Sequence, residues 1–150
     1  SKDILKMAVV ERHKNTRHIG IGYLKGYGLK SGAVATSVAH DSHNIICVGT
    51  NDEDMAFAVN RIARNRGGIV VVENGQVLAE LPLEIAGIIS GKPLREVNTL
   101  LEDAKKAAHA LGVGTDIDPF MTLSFMSLPV IPALRLTTRG VVDVNTQQYV

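Results

Sequence analysis

Apolar positions along this chain fall into short β-prone runs and two longer stretches with helical spacing. Ile4–Arg12 (I-L-K-M-A-V-V-E-R) is dense in apolar and β-branched residues and predicts a strand. Gly20–Gly32 follows, with five glycines in thirteen residues, and predicts a loop with close backbone approaches rather than a strand interior. Gly32–Ala39 and Ile45–Thr50 are apolar runs on either side of H-D-S-H-N. They predict two adjacent strands, antiparallel because the link is short.

Thr50-Asn51-Asp52-Glu53 has the pattern of a capping box, and Met55, Val59, Ile62 and Ala63 then repeat at helical spacing. Gly67-Gly68 ends that helix. Asp52, Glu53 and Asp54 at its start complement the helix dipole, as do Arg61, Arg64 and Arg66 at its end, and the arginines are read as capping their own helix. Gly68–Glu73 and Gln76–Leu81 predict a hairpin across Asn74-Gly75. Pro82–Ser90 fits a short helix or a strand. Pro93 opens a long helix to about Leu111, with Val97, Leu100, Leu101, Ala104, Ala108 and Leu111 on one face and Gly112 and Gly114 beyond its end. Pro119–Leu128 predicts a short helix, and Leu134–Leu136 with Val141–Val144 predict two short strands around Arg139-Gly140. The expected fold class is α/β of the α+β kind: a mixed β-sheet packed with about three helices, in a single two-layer domain covering 1–150.

Composition narrows the function classes. At 150 residues the chain has the size of one domain, and 45% apolar with 21% charged residues is ordinary for a globular protein. A net charge of +1 leaves no electrostatic footprint for nucleic acid or an anionic membrane. Cys47 is the only cysteine, which excludes an internal disulfide and a cysteine-rich zinc site. Its setting, I-I-C-V, reads as a buried structural thiol rather than a nucleophile. No apolar run approaches the roughly 18 residues of a membrane span, so a soluble, cytoplasmic protein is expected. The chain opens directly on strand-like sequence, which suits a piece of a longer protein as well as a complete small one.

Candidate chemistry is sparse. Gly20-x-Gly22-x-x-x-Gly26 and Gly26-x-Gly28-x-x-x-Gly32 both miss the dinucleotide fingerprint, and neither opens a helix that would face a pyrophosphate. Pro93 after Gly91-Lys92 spoils a phosphate loop. The zinc deaminase signature lacks its second cysteine. His109 lies on the long helix and reads as structural, and Arg12-His13-Lys14 with Arg17-His18 reads as a solvated basic loop. The remaining feature is the polar knot His40-Asp41-Ser42-His43-Asn44 between two apolar runs. Its residue types serve as a tight turn, as a pocket edge, or as a metal site with both histidines and the aspartate on one ion. The residues alone rank the three in that order.

Glu11–Asn60, beginning E-R-H-K-N-T-R-H-I-G-I-G-Y and running through V-A-H-D-S-H-N-I-I-C-V-G-T-N-D-E-D, resembles the C-terminal domain of bacterial and archaeal adenine deaminases. G-G-I-V-V-V-E-N-G (Gly67–Gly75), L-P-L-E-I-A-G-I-I-S (Leu81–Ser90) and S-L-P-V-I-P-A-L-R-L-T (Ser127–Thr137) are similar to the same family, so the resemblance covers nearly the whole chain. It implies the amidohydrolase superfamily, in which adenine is hydrolysed to hypoxanthine and ammonia. The implied site is a divalent-metal centre, of manganese or iron, in a (β/α)₈ barrel upstream of these residues. The family's metal ligands have no counterpart in positions 1–150, so no catalytic residue, metal ligand or cofactor is assigned here, and the domain alone is expected to be inactive. The implied partners are the barrel domain of the parent chain and, for the whole enzyme, adenine as substrate; a homo-oligomer stays open, and no nucleic acid or membrane is implied. Within that picture His40, Asp41, Ser42, His43 and Asn44, with Arg12 and His13 as neighbours, are the candidates to face the active site, which moves the pocket-edge reading up. Two other classes remain: a module that binds a purine or regulatory ligand by itself, and an oligomerisation domain using apolar surface such as Met121–Leu128.

Overall fold

In the computed structural model, which describes residues 3–150, the chain forms a six-stranded sheet, a three-stranded sheet and three helices. The elements are β1 (Ile4–Val10), β2 (Ile19–Lys25), β3 (Ala33–Thr36), β4 (Ile45–Gly49), α1 (Asp52–Arg64), β5 (Gly68–Glu73), β6 (Gln76–Pro82), α2 (Leu94–Ala110), α3 (Pro119–Ser124), β7 (Leu134–Thr137), β8 (Gly140–Asp143) and β9 (Gln148–Tyr149). The large sheet has the order β2-β1-β4-β3-β5-β6 and the small one β7-β8-β9, with antiparallel pairing between neighbours. The predicted neighbours β3 and β4 pair in the register Ala33↔Gly49 to Thr36↔Ile46. This is the α+β architecture with three helices.

The two layers expected become three, because the central strands are buried on both faces. Ala33, Ala35, Cys47, Val70 and Val72 pack on Met55, Ala58 and Ile62 of α1. The alternate residues Val34, Ile46, Val48, Ile69 and Val71 belong to a second core with Ala104 and Ala108 of α2 and Phe120 and Leu123 of α3. Strand periodicity thus sends one set of side chains to each helical layer. Leu136 of β7 joins the second core, so the small sheet completes the layer beside α2 and α3.

The glycine-rich segment divides in a way its composition hid. Ile19–Lys25 is an edge strand fully registered on β1, from Ile4↔Lys25 to Val10↔Ile19, and only Gly26–Gly32 is a loop. The glycines fit the strand because they fall on alternate positions that face β7 and β8. A Cβ on Gly20 would lie 1.7 Å from the carbonyl oxygen of Thr137, and one on Gly22 would lie 3.3 Å from Leu136. Tyr27, in the remaining loop, is buried and donates its hydroxyl to the carbonyl oxygen of Pro119 at 2.9 Å, which ties that loop to α3.

Around α1 the expected helix is present, but its cap lies one residue later than the Thr50–Glu53 box. Asn51 is the N-cap, and its Oδ1 accepts from Asp54 N at 2.8 Å. Thr50 stays with the sheet, where both its N–H and its hydroxyl donate to Gly32 O. Asp54 is buried and also accepts from Asn74 N at 3.2 Å and Gly75 N at 2.8 Å, so the first turn of α1 holds the tip of the β5–β6 hairpin. Arg61 does not cap its own helix. It reaches across to β6 and donates from Nε and Nη2 to the two carboxylate oxygens of Glu80 at 2.8 and 2.6 Å, and Asn65 adds a third bond. A fork-shaped donor opposite a carboxylate gains more there than at fraying carbonyls.

Pro82–Ser90 is neither helix nor long strand. β6 runs through Pro82, and the chain then folds into a tight turn whose ends pair through Ile85 and Ile89. Pro93 is the N-cap of α2, and Gly112, at φ 109, lies just past its C-cap Leu111. β9 has no counterpart in the predicted elements.

Candidate functional site

The connections at one end of the large sheet converge on the polar knot. Residues 37–44 link β3 to β4, and residues 11–18 link β1 to β2 at the same end. His43 closes the knot from a left-handed backbone at φ 50: its N–H donates to Ala39 O at 2.6 Å, and its Nδ1 accepts from Ala39 N at 3.2 Å. That bond leaves Nε2 to carry the ring proton of the neutral form. Burial lowers the His43 pKa first, with His40 and Arg12 adding to it against an opposing effect of Asp41, so the ring is held neutral near pH 7. His40 donates its N–H to Ser124 O at 3.0 Å, and its ring lies 5.3 Å from that of Phe125 and 5.6 Å, edge-on, from that of His43.

Arg12 and His13 do reach this knot. Arg12 donates from Nε to His43 O at 2.5 Å and from Nη2 to Ala86 O at 2.6 Å, spanning from the knot to the turn after β6. His13 donates from Nε2 to Ser42 O at 2.6 Å. Both are presented by a loop wrapped around the Glu11 carboxylate, which accepts from the N–H groups of His13, Lys14 and Thr16 and from the Thr16 hydroxyl. Burial opposes ionisation of Glu11, but those four bonds outweigh it and bring its pKa down to about 2. Arg17 and His18, the rest of the basic segment, are exposed.

Two hollows flank this assembly. One, of about 290 Å³, lies between the knot and the C-terminal segment and is lined by Asp41, Ser42, Asn44, Ser127, Thr137 and Thr138 with Val9 and Pro129. Asn44 donates from Nδ2 to Ser42 Oγ at 3.1 Å, while its Oδ1, like Ser127 Oγ, is buried without a protein partner. Unpaired buried polar atoms are rare in folded chains. Both residues line the hollow, while the two unpaired atoms themselves are closed off from solvent. The other hollow, of about 480 Å³, lies on the α1 side and is lined by Arg12, Asn60 and Arg66 over an apolar floor that includes Val10, Ile45 and Ile62.

The knot does not fit a metal centre. Among the described residues no three His, Cys, Asp or Glu side chains are placed to share an ion. The Nδ1 of His43 and the Nε2 of His13 are already committed to main-chain partners. Cys47 is fully buried, and burial pushes its thiol pKa far up, which removes it as a nucleophile. His109 bonds Val113 O at the end of α2 and lies away from the knot in sequence and fold. What remains is a cluster of polar side chains beside an open hollow.

Three contributors carried no sequence signal. Ser37 donates to Gly87 O at 2.5 Å and accepts from Gly68 N at 2.8 Å, which stitches β3, β5 and the turn after β6 together. Gly87, at φ 77, makes room for the Arg12 guanidinium, which a Cβ would meet at 2.4 Å. Ser127 enters from a distant segment.

Among the described residues no helix is long and apolar enough to cross a membrane. Residues 1–148 match the family described as the adenine deaminase C-terminal domain. The chain is 54% identical over 147 residues to the adenine deaminase of Nitratidesulfovibrio vulgaris (strain Hildenborough), covering 97% of this chain and 26% of that relative. It is 53% identical over 150 residues to that of Listeria welshimeri, covering 99% of this chain and 26% of the relative. Against that of Bacillus subtilis (strain 168) it is 48% identical over 148 residues, with 99% and 26% covered. The chain thus spans about a quarter of the length of the curated relatives it matches. It belongs to the adenine deaminase C-terminal domain family.

Proposed function

We propose that this domain serves an adenine deaminase as a wall of the active site, while the hydrolytic machinery belongs to the larger part of the polypeptide that the relatives possess. The parent reaction is adenine plus water to hypoxanthine plus ammonia. On this reading the divalent metal that would activate the water belongs to the barrel portion. The knot side chains then orient and enclose the base: a neutral His43 offers its Nε2–H, and Asp41, Ser42 and Asn44 offer acceptors to exocyclic and ring N–H groups. Excluding water from a polar site strengthens each of those bonds. The observation that supports this most directly is the hollow beside the knot, lined by Asp41, Ser42 and Asn44 together with Ser127 and Thr137.

His43→Ala in the full-length enzyme tests the reading. Turnover of adenine falls at least about tenfold, more than the stability lost with the ring's bond to Ala39 N accounts for, since on this reading the Nε2–H is the substrate-facing group. Equal losses in both would reduce the knot to scaffolding. The separate domain releases no ammonia from adenine, and ammonia release by scrupulously purified domain would sink the proposal. Tight adenine binding by the separate domain would favour the ligand-module reading instead.

A further inference from the structure

The turn after β6, Ile85-Ala86-Gly87-Ile88-Ile89, presents three isoleucines outward: they are 49%, 37% and 54% exposed. Such side chains on a turn tip are ordinarily avoided unless they are covered in the functional protein. This turn is not loose. Arg12 holds Ala86 O, Ser37 holds Gly87 O, and Ile85 pairs with Ile89 through the main chain. Its two central residues take left-handed backbones, Ala86 at φ 55 and Gly87 at φ 77, a conformation that is strained for alanine. A locally costly conformation braced at three points keeps the apolar side chains in a fixed display. The segment carries no charged side chain, so the partner surface it suits is apolar.

We infer that the Ile85–Ile89 turn is the apolar anchor by which this domain docks on the remaining part of its own polypeptide. The inference rests on the proposed function above. Arg12 bonds the knot at 2.5 Å and the turn at 2.6 Å, so both lie within the reach of one guanidinium. A stable interface covers about 800 Å² per partner, a patch roughly 30 Å across. Whatever covers the knot therefore covers the turn as well. The relatives, of which this chain spans 26%, carry enough additional polypeptide to supply that surface.

The test uses the full-length enzyme carrying Ile85→Glu and Ile89→Glu, compared with Tyr23→Glu on the exposed edge strand β2, where Tyr23 is 74% exposed. Cleavage between this domain and the rest by a dilute protease should speed up about tenfold for the turn variant and stay unchanged for Tyr23→Glu, with the same molecular mass by light scattering. Unchanged cleavage in a folded turn variant overturns the anchor. A halved mass with unchanged cleavage also overturns it, because the turn then joins copies of the chain. Should the glutamate variant fail to fold, Ile85→Ser with Ile89→Ser is read by the same two measurements. Loss of docking in the turn variant with normal turnover in His43→Ala would refute the substrate-facing knot and leave the anchor standing.

Discussion

Arg12 Nε donates to the main-chain oxygen of His43 at 2.5 Å, so a residue 31 positions upstream sets the pose of the knot. The side chain is only half-buried, yet its two bonds end on carbonyls of separate loops. Arg12→Ala should cost about 1.5 to 3 kcal/mol, the range for hydrogen bonds from a charged donor. Arg12→Lys should recover little, since one ammonium cannot reproduce the fork. Chemical denaturation reads the stability, and exchange of the 40–44 and 85–89 amides shows whether both loops loosen together.

Asp54 predicts how the domain answers acid. Burial raises its pKa, but the bonds from Asn51, Gly75 and Asn74 win and hold it below the ordinary aspartate value. Glu11 behaves alike, at about 2. A carboxyl depressed in the folded state stabilises fully above its unfolded pKa, about 3.9 for Asp and 4.3 for Glu, and that stabilisation is lost as pH falls toward the folded values. The contribution of these two carboxyls should therefore be kept from about pH 7 to 5 and be lost progressively between about pH 4 and 2. In Asp54→Asn that acid loss should shrink, with a penalty of about 1 to 3 kcal/mol at neutral pH. Thermal melts across pH decide it.

Gly20 and Gly26 separate crowding from conformation. Gly20→Ala would drive a methyl into the Thr137 carbonyl and should cost about 3 kcal/mol or more, parting β2 from the small sheet. Gly26 has open space but a φ of 84, so Gly26→Ala should cost only about 1 kcal/mol. Equal losses in urea titrations would contradict the register of β2.

Cys47 should stay unlabelled by thiol reagents in the native domain and react at once on unfolding. Burial both shields it and keeps it protonated. Rapid native labelling would mean that α1 lifts from the sheet.

Legibility of the fold followed the range of the interaction that set each element. α1, the Asn74-Gly75 hairpin and α2 rest on neighbours a few residues apart, so periodicity and turn chemistry marked them. The sequence of β2 reads as loop because what its glycines accommodate, Thr137 and Leu136, lies more than a hundred positions away. Sequence alone leaves Arg61 on its own helix because Glu80 comes alongside only once β6 is in place. At the candidate site the knot was visible as a polar break between apolar runs, and Arg12-His13 as its neighbour. The partners from Ser37, Gly87 and Ser127 depend on tertiary contact and had no local mark.

The bonds of Asp54 to the hairpin tip and of Arg61 to Glu80 make residues 51–82 a circuit closed at both ends of α1. All its contacts are short in sequence, so closing it loses little chain entropy. That stretch is suited to act as the folding nucleus onto which β1, β3 and β4 condense. Weakening it by Glu80→Gln should slow refolding, while truncations in β7 to β9 should chiefly hasten unfolding.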